Sequence, residues 1–174
     1  MTKDIPEFSV GWCHDASDIN EASVFFAKHV DSTYISHSEL MSARAVDETT
    51  WSDNLADVVN AELSESILSE GDSAASKTSK LLLARGQDQQ VLGMMIWSFV
   101  AEEKAYAVLE DTVVDPDFRG HGIFSEMFNI GVNECKARGV SRLFLESGIG
   151  NEGAHKIFER MGFETVSKVM TYKL

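Results

Sequence analysis

Two stretches of this 174-residue chain hold residue types at spacings that suit chemistry. The first is the carboxylate pair Glu110-Asp111, set directly after Leu109. The second is Arg119-Gly120-His121-Gly122, which leads at once into Ile123, Phe124 and Ser125. A glycine-bearing turn that opens a helix is an anion cradle. The first-turn N–H groups have no intrahelical partners, and the helix dipole adds about half a positive charge there. Glycine lets a phosphate come close to that backbone, so a diphosphate is a natural guest. The same residues also suit an ordinary strand-to-helix turn in which Gly120 and Gly122 only relieve backbone strain. The turn is neither a dinucleotide-binding G-x-G-x-x-G nor a phosphate loop ending in Gly-Lys-Ser/Thr.

The elements around the turn read clearly. Tyr106, Val108, Val113 and Val114 lie in a stretch without helical spacing, as a strand does, and Asp115-Pro116-Asp117 breaks it because proline fixes φ and restricts its predecessor. Ile123, Phe124, Met127, Phe128, Gly131, Val132 and Cys135 then form the stripe of a helix buried on one face. Gly139 is expected to close that helix, with Lys136 and Arg138 suiting the dipole in its last turn.

Elsewhere, residues 7–13 read as a first strand. A helix from Asp15 or Ser17 should bury Ile19, Ala22, Val24, Phe25, Phe26 and Val30. Residues 31–50 show little pattern. A second helix should carry Leu55, Val58, Val59, Leu63, Ile67 and Leu68 inward, and Glu70–Lys80 reads as a polar loop. Residues 80–86 and 91–102 are expected strands, the latter apolar enough for a central position covered on both faces. Residues 142–146 should form a further buried strand. A last helix capped by Asn151 should bury Ala154, Ile157, Phe158 and Met161, with Gly162 ending it and Phe163 closing a Schellman contact. Thr165–Leu174 is expected to add one final strand. The order β α α β β β α β α β predicts a single α/β domain over residues 1–174: a mixed sheet with helices on both sides.

Composition excludes several classes. Hydrophobic residues are 44% and charged residues 25% of the chain, ordinary for a globular protein, and no apolar run is long enough to span a bilayer. The opening MTKDIPEF lacks the apolar core of a secretory signal, so a cytoplasmic protein with no membrane partner is expected. Residues 1–80 hold 15 acids against 5 bases, a net −10; residues 81–174 hold 13 against 10, a net −3. That balance argues against nucleic acid, whose phosphates need Lys and Arg, and an acidic front half either attracts a cationic substrate or is merely solvated. Cys13 and Cys135 make no disulfide framework, Cys135 lies on the buried stripe, and no Cys/His cluster has metal-ligand spacing, so no metal is expected.

The spacing of Arg119-Gly120-His121-Gly122-Ile123-Phe124 resembles motif A of the GNAT superfamily of N-acetyltransferases, R/Q-x-x-G-x-G/A, with Phe124 in place of the last small residue. The stretch RLFLESGIGNEGAHKIFERMGF is similar to a second signature of that superfamily, a strand followed by N-x-x-A-x-x-[LI]-[YF]-E-x-x-G-F. Asn151, Ala154, Ile157, Phe158, Glu159, Gly162 and Phe163 fall on it in register, and the likeness covers about half the chain, from Val91 onward.

The resemblance implies a mixed, mostly antiparallel sheet of six to seven strands with a splayed central pair. Residues 1–80 would supply acceptor-side helices, and 81–174 the acetyl-CoA-binding core. It implies acetyl-CoA as co-substrate, its pantetheine along Val113 and Val114 and its diphosphate on the amides of Arg119, Gly120, His121, Gly122, Ile123, Phe124 and Ser125. Asn151 would reach the pantetheine or serve as a plain cap. Similar proteins often pair as homodimers.

The implied reaction is attack of an amine on a thioester. An alkylamine titrating near 10.4 is almost all ammonium at neutral pH, so a general base is useful, worth about 10²–10⁴-fold. Glu110 is the candidate, because the LED-x-x-V run is similar to the polyamine and thialysine acetyltransferase branch. Alternating strand residues prevent Glu110 and Asp111 from facing one substrate unless a bulge intervenes. A backbone N–H near Val113 would hold the oxyanion. Many of these enzymes place a tyrosine where this chain has Phe158, which cannot donate a proton; His155 could substitute or simply face solvent, and His121 could touch phosphate or lie on the surface. Two functions follow: an acetyl-CoA-dependent N-acetyltransferase acting on a primary amine, small and cationic, or a catalytically weak or silent acyl-CoA-binding sensor or regulatory protein, which Phe124 and Phe158 keep open.

Overall fold

A computed structural model describes residues 7–68 and 77–174. Five strands form the main sheet: β1 (Phe8–Cys13), β4 (Lys77–Gly86), β5 (Val91–Val100), β6 (Tyr106–Val114) and β7 (Arg142–Leu145). They stand in the order β1-β4-β5-β6-β7, antiparallel except for the parallel β6–β7 pair, which needs the crossover through a helix. Two short strands, β2 (Ala45–Asp47) and β3 (Thr50–Trp51), pair separately. The helices are α1 (Ala16–His29), α2 (His37–Met41), α3 (Leu55–Leu63, continuing into a π-helical turn over Ser64–Leu68), α4 (Ile123–Ala137) and α5 (Glu152–Arg160).

The chain divides into two compact units, one of Met1–Val30 with Ala56–Leu145, the other of Asp31–Leu55 with Glu146–Leu174. The main sheet, α1 and α4 belong to the first; β2, β3, α2 and α5 belong to the second.

Strand alternation assigns the two faces of the main sheet. Arg85 on β4 reaches α1, with Nη2 2.6 Å from Asp18 Oδ1 and Nη1 2.5 Å from Glu21 Oε2. Lys77, Ser79, Leu81 and Leu83 share its face. Lys80 points the other way, its Nζ 3.0 Å from Glu134 Oε1 on α4 and 4.6 Å from the centre of the Trp12 ring. Arg138, one turn on in α4, also binds Glu134, and its hydrogen bond is the largest cause holding that carboxyl below the usual range. On the α4 face of β5, Gly93 lets Ile123 and Met127 approach, since a Cβ there would stand 3.1 Å from each. Trp97, fully buried, lies against Gly131 and near the rings of Phe99 and Phe128. β5 is buried from Leu92 to Val100, as expected of a central strand covered on both faces.

Several sequence expectations are corrected. Among the described residues the main sheet has five strands, not six or seven, because Thr165–Leu174 joins no strand ladder and carries no regular structure. Val166, Val169, Met170, Tyr172 and Leu174 are exposed there; alternation supplies strand propensity, but a strand exists only with a ladder partner. The strand expected at 142–146 is not buried: β7 is an edge with one neighbour, its exposure alternates, and Phe144 is open to solvent. In α1, Val24 falls outside the arc of Ile19, Ala22, Phe25 and Phe26 and is exposed. In α5 only Phe158 is buried, while Ile157 and Met161 are exposed, because its small unit has too little apolar surface to cover a second flank. Leu68, past the end of α3, is exposed too. The apolar strand stops at Val100 rather than at Glu102. Of the expected loop at 70–80, residues 70–76 lie outside the described residues, and Lys77–Lys80 already belong to β4.

Gly131 is the tightest position in this packing. A Cβ there would lie 2.7 Å from Trp97 Cη2 and nearer still to Cζ2 and Cε2. Overpacking of this kind costs about 1–3 kcal/mol. Gly131→Ala is expected to lower the unfolding free energy by that amount, read as a lower urea midpoint at unchanged slope. Gly153→Ala, in a helix position with nothing within 4 Å of the new Cβ, is expected to leave it unchanged or raise it.

Candidate active site

The ladder between β5 and β6 carries one fault, and the carboxylates sit on it. Trp97 pairs with Leu109 and Ile96 with Asp111, so Glu110 is an extra residue without an opposite number. Trp97 and Ile96 face opposite ways, and so therefore do Leu109 and Asp111, two residues that an unbroken strand would put on one face. Asp111 thus turns to the Ile96 side, the α1 face, where it is buried. Glu110 reaches the same side, since its Oε1 lies 3.0 Å from Nζ of Lys77, which belongs to that face. The bulge brings both carboxylates to one face of the sheet.

The ladder on the other edge of β6 ends at the same place. β7 pairs with Tyr106 through Leu109 and no further. Among the described strands, none pairs with this edge over Glu110–Val114.

Beyond Val114 the chain turns through Asp115, whose Oδ1 accepts from Asp117 N at 2.9 Å, and a 3-10 turn over Pro116–Phe118. Arg119 folds back, donating from Nε to Val114 O at 3.2 Å, and His121 Nδ1 lies 3.1 Å from Phe118 O. Gly120 and Gly122 take φ of 82° and 86°, the left-handed region that side chains resist. A Cβ at either would meet nothing within 4 Å, so both sit on open space. No side chain caps α4 at Gly122, which leaves its first-turn N–H groups to a ligand or to solvent. Phe124, the departure from the small-residue pattern, stacks on Phe128 one turn along at 5.9 Å and 15°. These features fit the diphosphate of a coenzyme: an open, glycine-walled, uncapped helix start.

His29, at the end of α1, faces the turn. Its Nε2 lies 3.8 Å from Asp115 Oδ2 and its ring 4.6 Å from Phe25. Burial holds its imidazole below the usual 6.5, more than Asp115 raises it, and Lys28 and Arg119 add to the lowering.

In the second unit, Asn151 Oδ1 accepts from Ala154 N at 3.4 Å and caps α5. Phe158 meets Phe163 edge-on at 5.6 Å, and Phe163 N donates to Phe158 O at 3.0 Å, with Gly162 at φ 94°: the Schellman closure read from the sequence. That unit also gathers side chains that sequence spacing missed. Glu146 Oε1 lies 2.6 Å from His37 Nδ1 and accepts from Ser36 Oγ, whose hydroxyl also lies 2.6 Å from Glu39 Oε2. Glu146 and Ser36 are 110 residues apart, beyond any local pattern.

Both thiols are held above the usual thiol range. Burial, with Asp18 adding to it, pushes Cys13 up to about 12, and burial likewise raises Cys135. Among the described residues, no group of three His, Cys, Asp or Glu side chains could hold a metal ion. Nor is any helix among them long and apolar enough to cross a membrane.

Residues 43–163 match the acetyltransferase (GNAT) family, and the chain belongs to it. An uncharacterized N-acetyltransferase of Methanocaldococcus jannaschii is 37% identical over 68 residues, covering 39% of this chain and 30% of that protein. The chain spans less than half the length of the curated relatives it matches. Among solved structures, a protein of Bacillus halodurans superposes with a TM-score of 0.72 at 15% identity, over 95% of this chain and 99% of the other. An aminoglycoside 6'-N-acetyltransferase of Acinetobacter baumannii superposes with a TM-score of 0.68 at 18% identity, over 97% and 98%. At such identities the two structures share the fold.

The depressed His29 gives a pH signature. The unfolded chain binds a proton near 6.5 that the folded chain binds only at lower pH, so stability is full above 6.5 and is lost as pH falls through the folded value. Between about pH 7.5 and about pH 5, His29→Gln is expected to flatten the fall in thermal midpoint. A variant whose midpoint falls as steeply as the wild type's would dismiss His29 as a cause.

Proposed function

We propose that the chain is an acetyl-CoA-dependent N-acetyltransferase that acetylates a primary amine on a small cationic acceptor by direct attack, with Glu110 as general base. Membership of the family supports acetyl-CoA as the co-substrate, and the glycine turn at 119–125 suits its diphosphate. The edge of β6 beyond Leu109, which no described strand pairs, suits the pantetheine amides. The backbone of Val114 faces outward there, whereas the Val113 N–H expected to hold the oxyanion faces Met94 within the β5–β6 ladder.

One observation carries the choice of acceptor. Glu110, raised out of its ladder by the bulge, already holds an alkylammonium, that of Lys77, at 3.0 Å. A carboxylate that binds an ammonium from within the chain is placed to bind one from outside. It must also deprotonate it, because an alkylammonium titrating near 10.4 has no lone pair at neutral pH. The net charge of −10 over residues 1–80 adds a favourable field for a cation.

Phe158 supplies no acid. Its ring closes the end of α5 against Phe163, and a thiol titrating near 8.5 leaves tolerably without help. Proteins similar to this one bear names as unlike as ribosomal-protein alanine N-acetyltransferase and mycothiol acetyltransferase, so the acceptor is read from Glu110 rather than from them.

The test is thiol release from acetyl-CoA with diamines, polyamines, lysine analogues and aminoglycosides. Glu110→Gln is expected to lower kcat/KM by about 10²-fold at neutral pH and by less at high pH, where the amine deprotonates unaided. Equal activity at all pH values would remove Glu110 from the chemistry. Gly122→Val, which puts a branched side chain at φ 86° on the cradle, is expected to raise KM for acetyl-CoA at least tenfold while KM for the amine stays. Stabilisation by CoA without turnover of any amine would instead mark a sensor.

A further inference from the structure

Lys77 and Lys80 begin the same strand and make ion pairs of the same length, yet they differ in every other respect. Lys80 lies on the α4 face, its ammonium over the Trp12 ring and its partner Glu134 shared with Arg138, and the pair is largely covered, with side-chain exposures of 19% and 23%. Lys77 lies on the α1 face opposite Val100, two strands from its partner Glu110, and the exposures are 56% and 36%. Exposed pairs of this kind contribute about 0–1 kcal/mol, so the Lys77 ammonium is held loosely enough to exchange, to lose a proton and to return. It touches Glu110 at the residue where β6 leaves its ladder, three positions before the Val113 amide. A lysine in that place meets the requirements set out above for an acceptor: an alkylamine, solvent-reachable, in hydrogen-bond contact with the base.

We propose that Lys77 is a self-acetylation site of this chain. The inference rests on the reading of Glu110 as the base of an acetyl transfer. The Lys77 ammonium gives one proton to Glu110, and the freed Nζ attacks the thioester carbonyl of acetyl-CoA. An N–C bond forms and the C–S bond breaks, the sulfur leaving with the electron pair. Of the three ammonium protons, one stays on the new amide nitrogen, one passes through Glu110 to solvent, and one ends on the CoA thiol. Nothing is oxidised or reduced. The product, Nε-acetyl-Lys77, has no charge for Glu110 to hold, so the ion pair is lost and the carboxylate is left to amines from outside. Each chain reacts once, and its own first acetylation clears its base.

The experiment incubates the purified full chain with isotopically labelled acetyl-CoA and no amine, then locates the label by peptide mass spectrometry and counts the thiol released. Expected are one acetyl group per chain on Lys77, none above background on Lys80, and a first-order rate that does not change with protein concentration. Lys77→Arg loses the label. Glu110→Gln slows it by about a hundredfold while CoA still raises the thermal midpoint, which shows the variant folded. If Lys77 stays unlabelled while the same preparation acetylates an added diamine, the inference fails and the proposed function stands. If neither Lys77 nor any added amine is acetylated, the proposed function fails and carries the inference with it. Labelling of Lys77 and Lys80 at the rate seen in heat-unfolded chain marks ordinary chemical acetylation and also overturns it.

Discussion

One extra residue in a hydrogen-bonded ladder decides which way the carboxylates of β6 face. β5 and β6 are locked in register on both sides of Glu110, by Trp97 with Leu109 and by Ile96 with Asp111, so the surplus cannot slide away. A bulge relieves it by twisting the strand and reversing which residues face which way. Two consequences follow together. Glu110 and Asp111 come to one face, and β7 stays with β6 only as far as Leu109. The end of the β6–β7 ladder and the turning of both carboxylates to one face fall at the same offset.

The fault is tolerated because the strand beside it is rigid. β5 is buried along nearly its whole length, flanked by α1 on one face and α4 on the other. The α4 side holds by shape: Gly93 under Ile123 and Met127, Gly131 under Trp97. The α1 side is tied at its far end by charge, through Arg85 with Asp18 and Glu21, an arrangement in which the hydrogen bonds it donates to both acids keep the guanidinium charged against burial. Between these supports Glu110 remains at the surface and Asp111 does not, so adjacent carboxylates meet different surroundings.

How much of this was legible in the sequence follows the range of the physics involved. The cradle was readable because its signals are local: Pro116 stops the strand, Gly120 and Gly122 permit the turn, and Ile123, Met127, Gly131 and Cys135 recur at helical spacing. The Schellman closure of α5 was readable for the same reason, from Gly162 and Phe163. The bulge was not, since no residue type marks it and it exists only as a mismatch between two strands; the sequence states the condition but not its outcome. Lys77 was read as loop, and its pairing with a residue 33 positions away has no periodicity to announce it. The final strand failed from the opposite cause, because the alternation of Thr165–Leu174 describes a willingness to pair and says nothing of a partner.

The seating of Trp97 on Gly131 ties two positions, 34 apart in the chain, into a single inherited unit. A lineage that enlarges residue 131 must shrink residue 97 in the same step or pass through a poorly packed ancestor. Drift at either site alone is therefore closed off. Sequences descended from a common parent with this one should accordingly change the two together or leave both alone.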